Sequence, residues 1–225
     1  MALTPELVAR CFRAEIDPGP NPDYTPLRDE VRSALTERLL ADRPEGPLWV
    51  FGYGSLIWNP SFGVAEYRRG TALGWHRAFC IEQTRWRGTP ELPGLMMALA
   101  RGGRCAGLLL RLPEAEVSDI VHRLVRREIT AHEDLGMARW ISVVTAEASI
   151  RALVFWAGPS GRGISLRLPL EAVALRLAHA CGHYGSSAEY LYQTVLKLEE
   201  HGIRDRNLWQ LQRLVAEEVE RWDRR

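Results

Sequence analysis

LWVFGYGSL, residues 48–56, is the stretch on which the fold of this chain turns. Leu48–Tyr53 is a short, largely apolar run rich in β-favouring residues, and it ends at glycine, so it reads as a buried strand. The glycine within Tyr53-Gly54-Ser55 then lets the backbone turn sharply. Downstream, strands are expected over 63–69, 71–83, 94–100, 104–111, 139–146 and 149–156. Gly102-Gly103, between the third and fourth of these, has the composition of a tight hairpin turn. Pro113 opens a helix over 113–128 with Val117, Ile120, Val121 and Leu124 on its apolar face. Three more helices are expected over 169–181, 186–201 and 205–222, with Gly182 and Gly202 near helix ends. Strands followed by helices make this an α+β chain, with a small mixed sheet or barrel flanked by helices. No GxGxxG lies between a strand and a helix, which argues against a dinucleotide-binding fold.

Length and charge narrow the choice further. The 225 residues suit one domain with a decorated end, or two small domains at most. A hydrophobic content of 46% with eight tryptophans fills a core that needs no disulfide or metal staple. Basic and acidic side chains balance at 29 and 28, which argues against a dedicated nucleic-acid binder. Cys11, Cys80, Cys105 and Cys181 form no CxxC pair and sit beside no histidine at ligand spacing. They are expected as buried apolar side chains, with no metal site. The six histidines form no HExxH, and there is no GxSxG elbow. No positive start precedes an apolar run at the N-terminus, and no apolar stretch is long enough to span a bilayer. The expectation is therefore a cytoplasmic protein without a membrane partner. Residues 1–46 read as an extension to a main domain at 47–225. DPGPNPDYTP (17–26) favours extended backbone, and a short helix follows with Leu27, Val31, Ala34, Leu35 and Leu39 on one face. The extension either docks on the main domain or orders a partner.

Four places could carry chemistry. Backbone N–H groups at the Tyr53-Gly54-Ser55 turn can form a concave donor site for a carboxylate or oxyanion; the alternative is an ordinary turn with a buried tyrosine. Glu128 ends its helix, where the macrodipole disfavours a carboxylate and raises its pKa toward that of a useful base; a solvated glutamate is the alternative. Arg85, Trp86 and Arg87 precede a Gly-Thr-Pro turn, and arginines there either clamp a substrate carboxylate or line a solvated loop. In GHYGSSAEYL (182–191), Ser186 or Ser187 caps a helix with Glu189 in its first turn, and Tyr190 is placed to offer its hydroxyl. Ser55 has no identifiable His–Asp pair.

WVFGYGSLIWNP (49–60), GWHRAFC (74–80), RGTPELPG (87–94), LVRRE (124–128) and GSSAEYL (185–191) occur in that order. Together they resemble the ChaC family of glutathione-specific γ-glutamylcyclotransferases, and IRDRNLWQL (203–211) resembles its C-terminal helix. The similarity spans roughly residues 48–215. It implies a γ-glutamylcyclotransferase-like mixed barrel flanked by helices, and an enzyme, a lyase, that cyclises the γ-glutamyl group of glutathione to 5-oxoproline and releases Cys-Gly without a cofactor. It further implies that Val50, Phe51, Gly52, Tyr53, Gly54, Ser55 and Leu56 form the substrate-binding loop, that Glu128 is the catalytic acid/base, and that Tyr190 lies near the site. Arg87, in its Arg-Gly context, is the first candidate for a substrate carboxylate, ahead of Arg85, Arg126 and Arg127. Two segments depart from the pattern. Many members read Ser-Thr-Asp-His-Arg-Gly where Gln83–Gly88 stands, and many continue with Gly-Gly-Tyr after the glutamate, where Ile129-Thr130-Ala131-His132 follows. Both departures bear on the leaving group. The alternatives are a cyclotransferase for another γ-glutamyl amine or dipeptide, and a non-catalytic γ-glutamyl-binding module.

Overall fold

The computed structural model describes residues 1–20, 22, 24–158 and 168–222. In chain order its elements are α1 (Pro5–Arg10), α2 (Asp29–Ala41), β1 (Trp49–Gly52), α3 (Ser55–Trp58), β2 (Glu66–Gln83), β3 (Gly94–Arg111), α4 (Val117–Glu128), β4 (Ala138–Val144) and β5 (Ser149–Phe155). Then come α5 (Leu170–His179), β6 (Cys181–Gly182), β7 (Gly185–Ser186), α6 (Ser187–Glu200) and α7 (Arg206–Arg221), the expected strands-then-helices order. Five strands close into a barrel in the order β1-β3-β2-β4-β5, with β6 and β7 forming a separate pair. β1 runs antiparallel to β3, Trp49 facing Arg111 and Gly52 facing Leu108, while a parallel pairing of Val50 with Leu153 of β5 seals the other side.

The chain divides into two compact units, Met1–Asn21 with Ala78–Met97 and Gly163–Arg225, and Pro22–Arg77 with Ala98–Arg162. In the second unit, β1 is buried on both faces, as its uninterrupted apolar run requires. Trp49 and Phe51 join a cluster drawn from all five barrel strands, including Trp75, Leu109, Val143 and Val154. Val50 points the opposite way, toward Ile120, Val121 and Leu124 of α4 and Leu35 and Leu39 of α2. The apolar stripe read from the α4 sequence is thus the stripe that covers the barrel, and it is buried to 2% exposure or less at those three positions.

In the first unit, α5, α6 and α7 bury Leu177, Leu191, Val195 and Val215 among themselves. The first residues are anchored there. Thr4 caps α1 with its hydroxyl, Pro5 sits in the first helical turn, and the N–H groups of Ala2 and Leu3 both donate to the buried Oε1 of Gln212 at 2.8 Å.

Two strand boundaries expected from glycines are absent. Segments 63–69 and 71–83 are one strand from Glu66, running through Gly70. A Cβ on Gly70 would lie 2.5 Å from Val143 Cγ1, so this glycine marks close packing against β4 and not a break. Segments 94–100 and 104–111 likewise form one strand, and no hairpin exists at Gly102-Gly103. Both glycines do take left-handed backbone, with φ of 105° and 71°, but they serve inside a continuous strand, as glycine does at a β-bulge. Helix α4 starts at Val117, because Pro113 is still extended (ψ 127°) and a 3-10 turn intervenes.

Candidate active site

The site of the second unit is built from the end of β1 and the end of α4. Of the loop residues singled out in sequence, Val50 and Phe51 are fully buried and Leu56 nearly so, which makes their side chains scaffold. Gly52 allows no side chain: its Cβ would lie 2.8 Å from Leu110 Cδ1. On the neighbouring strand, a Cβ on Gly107 would meet Gly52 O at 2.5 Å and the Phe51 ring at 2.7 Å. Two glycines therefore let β1 and β3 approach closely just where the chain turns out of the barrel. Tyr53 is half-buried, and its hydroxyl donates to Phe155 O at 2.5 Å, which fixes the ring. Gly54 then leads into the single turn α3, whose N-terminus no side chain caps.

Glu128 is the last residue of α4. Its carboxylate Oε1 lies 3.0 Å from Arg127 Nε, and its side chain retains only 20% of its exposure. The same guanidinium donates from Nη1 to Asn59 O (2.5 Å) and Ser61 Oγ (2.9 Å) and from Nη2 to Ser55 Oγ (3.1 Å). One arginine thus ties the Glu128 carboxylate to the turn that follows β1. Loss of water around Glu128 pushes its pKa above the usual carboxylate range, and the adjacent Arg127 charge opposes this only in part. Glu128 is not a solvated helix-end carboxylate. It is a desolvated base candidate held against a backbone turn. Ser55 Oγ accepts from the Arg127 guanidinium, a group that cannot take its proton.

Arg87 and Tyr190 belong to the first unit. Arg87 Nη1 donates to Glu189 Oε2 and to Ser186 O, both at 2.7 Å, and its guanidinium lies 5.7 Å from the Tyr190 ring. Ser186 caps α6 at Glu189 N, whereas Ser187 donates to Arg87 O at 2.8 Å. The glycines of the RGTPELPG segment are packing residues: a Cβ on Gly88 would sit 2.2 Å from Gly94 N, and one on Gly94 2.5 Å from Ser187 Oγ. All four arginines considered for substrate carboxylates face acids of the chain itself. Arg85 meets Asp17 through two bonds of 2.7 Å, Arg87 meets Glu189, Arg126 lies 3.5 Å from Asp29, and Arg127 meets Glu128. The four-way grip of Arg127, with Asn59 and Ser61 as partners, is absent from the sequence reading. Local spacing carries no record of such contacts, because they join residues more than sixty positions apart. Among the described residues, no group of three or more His, Cys, Asp or Glu side chains is placed to hold a metal.

The family profile described as ChaC-like protein matches residues 48–218. The chain is 37% identical over 181 residues to the glutathione-specific gamma-glutamylcyclotransferase of Escherichia coli (strain K12), covering 80% of this chain and 78% of that one. It is 30% identical over 147 residues to glutathione-specific gamma-glutamylcyclotransferase 1 of Homo sapiens, covering 64% of this chain and 66% of the human protein. A crystal structure of a γ-glutamyl cyclotransferase specific to glutathione from yeast superposes with a TM-score of 0.68 at 18% identity, covering 77% of this chain and 97% of that one, which shows the shared fold. On the match of its sequence, the chain belongs to the ChaC family.

Proposed function

We propose that the protein cyclises the γ-glutamyl group of glutathione, releasing 5-oxoproline and Cys-Gly, with Glu128 as the acid/base. The observation that carries this reading is the desolvated Glu128 carboxylate held by Arg127 beside the Tyr53–Leu56 turn. The names of the relatives support glutathione as substrate.

The substrate α-ammonium gives a proton to the Glu128 carboxylate, and the freed amine attacks the γ-carbonyl carbon. Its reach is intramolecular, so folding the substrate supplies most of the proximity. The tetrahedral oxyanion needs N–H donors, for which the turn at residues 53–56 is the candidate. The second proton leaves the ring nitrogen as the amide C–N bond breaks, and the two protons end on the departing amine. Nothing is oxidised and no water is consumed. A single carboxylate alternating between base and acid suffices. Val50, Phe51, Gly52 and Leu56 shape the loop, and Tyr53, Gly54 and Ser55 present its polar atoms. Arg87 and Tyr190, in the other compact unit, are assigned to binding by the family resemblance alone. The enzyme works in the cytoplasm on a small molecule, without nucleic acid, and its four cysteines form no disulfide, as suits that compartment.

Because the four candidate arginines already face acids, recognition of the glycyl end of glutathione is the open choice in specificity, and another γ-glutamyl amine is the second reading. Release of 5-oxoproline from glutathione, γ-glutamyl-alanine and γ-glutamyl-ε-lysine decides between them. Turnover of glutathione well above the other two is expected. Equal or inverted rates would favour the second reading, and glutathione binding without product would mark a non-catalytic module.

A further inference from the structure

The last turn of a helix is where carbonyl groups lose their partners and where helices fray. Glu128 occupies that position, so its placement depends on what the chain does next. Ile129 leaves α4 in extended backbone (φ −117°, ψ 93°), with its N–H on Val125 O at 2.9 Å and its side chain fully buried. Thr130 and Ala131 are held from within by Asp134: both N–H groups donate to Asp134 Oδ2 at 3.1 Å, and the Thr130 hydroxyl does so at 3.0 Å.

The other edge of this segment is taken by residues that lie ahead of the family-matched region. Leu27 N–H donates to Thr130 O at 3.3 Å, His132 N–H donates to Thr25 O at 3.0 Å, and Pro26 pairs with Ala131 as an antiparallel bridge. Thr25 adds its N–H and its hydroxyl to Glu133, at 3.3 and 3.2 Å. Leu27 is buried in the same cluster as Ile129 and Leu124. Asp29, at the start of α2, lies 3.5 Å from Arg126, and α2 itself packs on α4.

We propose that Thr25–Leu27 is a positioning strap for the Glu128 carboxylate, which makes the extension ahead of residue 48 a working part of the active site. The strap touches no reacting atom. It converts the exit from α4 from a fraying end into a short two-stranded ladder, and so holds the carboxylate at a fixed distance from the Arg127 fork and the turn after β1. This inference rests on Glu128 being the acid/base of the proposed reaction.

Leu27→Pro removes the N–H donor to Thr130 O, and Leu27→Ala is its reference, since it loses the packing but keeps the donor. In the full-length chain, kcat for 5-oxoproline release from glutathione is expected about tenfold lower in Leu27→Pro than in Leu27→Ala, with KM within about twofold, below the roughly hundredfold that a 1 Å misplacement costs. Should Leu27→Pro fail to fold, Thr25→Val and Glu133→Ala decide the matter. Glu133→Ala, which removes both bonds, is expected to lower kcat by about two- to threefold, Thr25→Val, which keeps the N–H bond, by less, and the double variant to be no worse than Glu133→Ala, because its Thr25 change removes a bond already lost. Hydrogen exchange at the Ile129 amide, which needs no turnover, is expected to quicken in all three strap variants relative to wild type and to Leu27→Ala. Equal kcat in Leu27→Pro and Leu27→Ala, wild-type kcat in the Thr25 and Glu133 variants, or unchanged Ile129 exchange would each overturn the strap. A wild-type protein that releases no 5-oxoproline would instead overturn the assigned reaction.

Discussion

Keeping the Glu128 carboxylate charged out of water costs the fold stability. Its folded-state pKa lies above the unfolded value, so the fold prefers the protonated form, and that preference is lost as pH rises through the folded pKa. Glu128→Gln should therefore melt at or above the wild-type temperature, with the gap widening from pH 4 to pH 8, while kcat falls by about two to four decades. Differential scanning calorimetry across that range, beside the 5-oxoproline assay, checks both halves. A variant that melts lower at neutral pH would contradict the desolvation account. Arg127 is the complementary test. It holds Glu128, Ser55, Asn59 and Ser61 at once, and a lysine has one ammonium where arginine has a fork. Arg127→Lys should cost about one to two decades in kcat/KM, in line with 1.36 kcal/mol per decade. Arg127→Met should move the acid limb of the kcat/KM profile to higher pH, because the charge it removes is the one lowering the Glu128 pKa. At this scale the sequence marks Glu128 as a candidate by its type and its place at a helix end, and is silent where a side chain reaches across space. No spacing rule connects Arg127 with Asn59 and Ser61, and none connects Thr25 with Glu133.

Among the elements, glycine was the least transparent signal. The helices were readable because apolar residues at helical spacing must be buried together, and α4 buries Ile120, Val121 and Leu124 as expected. Glycines in strands have several uses that look alike in sequence: Gly70 packs against Val143, Gly107 against Phe51, and Gly102-Gly103 supply left-handed backbone. Substitution separates these uses. At Gly103 a Cβ finds its nearest neighbour 3.7 Å away, so Gly103→Ala suffers only the strain of φ 71°, about 1–2 kcal/mol by urea unfolding. At Gly107 the obstacle is Gly52 O and the Phe51 ring, so Gly107→Ala should cost about 1–3 kcal/mol and also lower turnover, because it displaces the strand that carries the loop. Full activity in Gly107→Ala would separate that packing from the site. The N-terminal helix α1 was missed for a different reason: prolines at 18, 20, 22 and 26 dominate the composition of the extension, while the Thr4-Pro5 cap lies outside that run.

For the molecule as a whole, buried thiols and barrel closure set the behaviour. Cys11, Cys80, Cys105 and Cys181 are all buried, as their isolated spacing implied, and form no disulfide; burial pushes the Cys11 thiol up to about 11. Titration with a disulfide reagent at pH 7.5 should find no fast-reacting thiol in the native protein and four after unfolding; a fast native thiol would show local opening. The fold class was readable because strand runs precede helical ones, but the pairing order was not, since local sequence carries no record of which distant strand a given edge will meet. The parallel contact between Val50 and Leu153 has a consequence for biosynthesis. A ribosome delivers the first partner about a hundred residues before the second, roughly 5–20 s earlier at ordinary elongation rates. Throughout that interval the nascent chain carries Trp49–Gly52 with one edge unsatisfied, which invites contact with other growing chains. Yield in the cell should thus depend on chaperones that shield the emerging chain until its fifth barrel strand has left the exit tunnel.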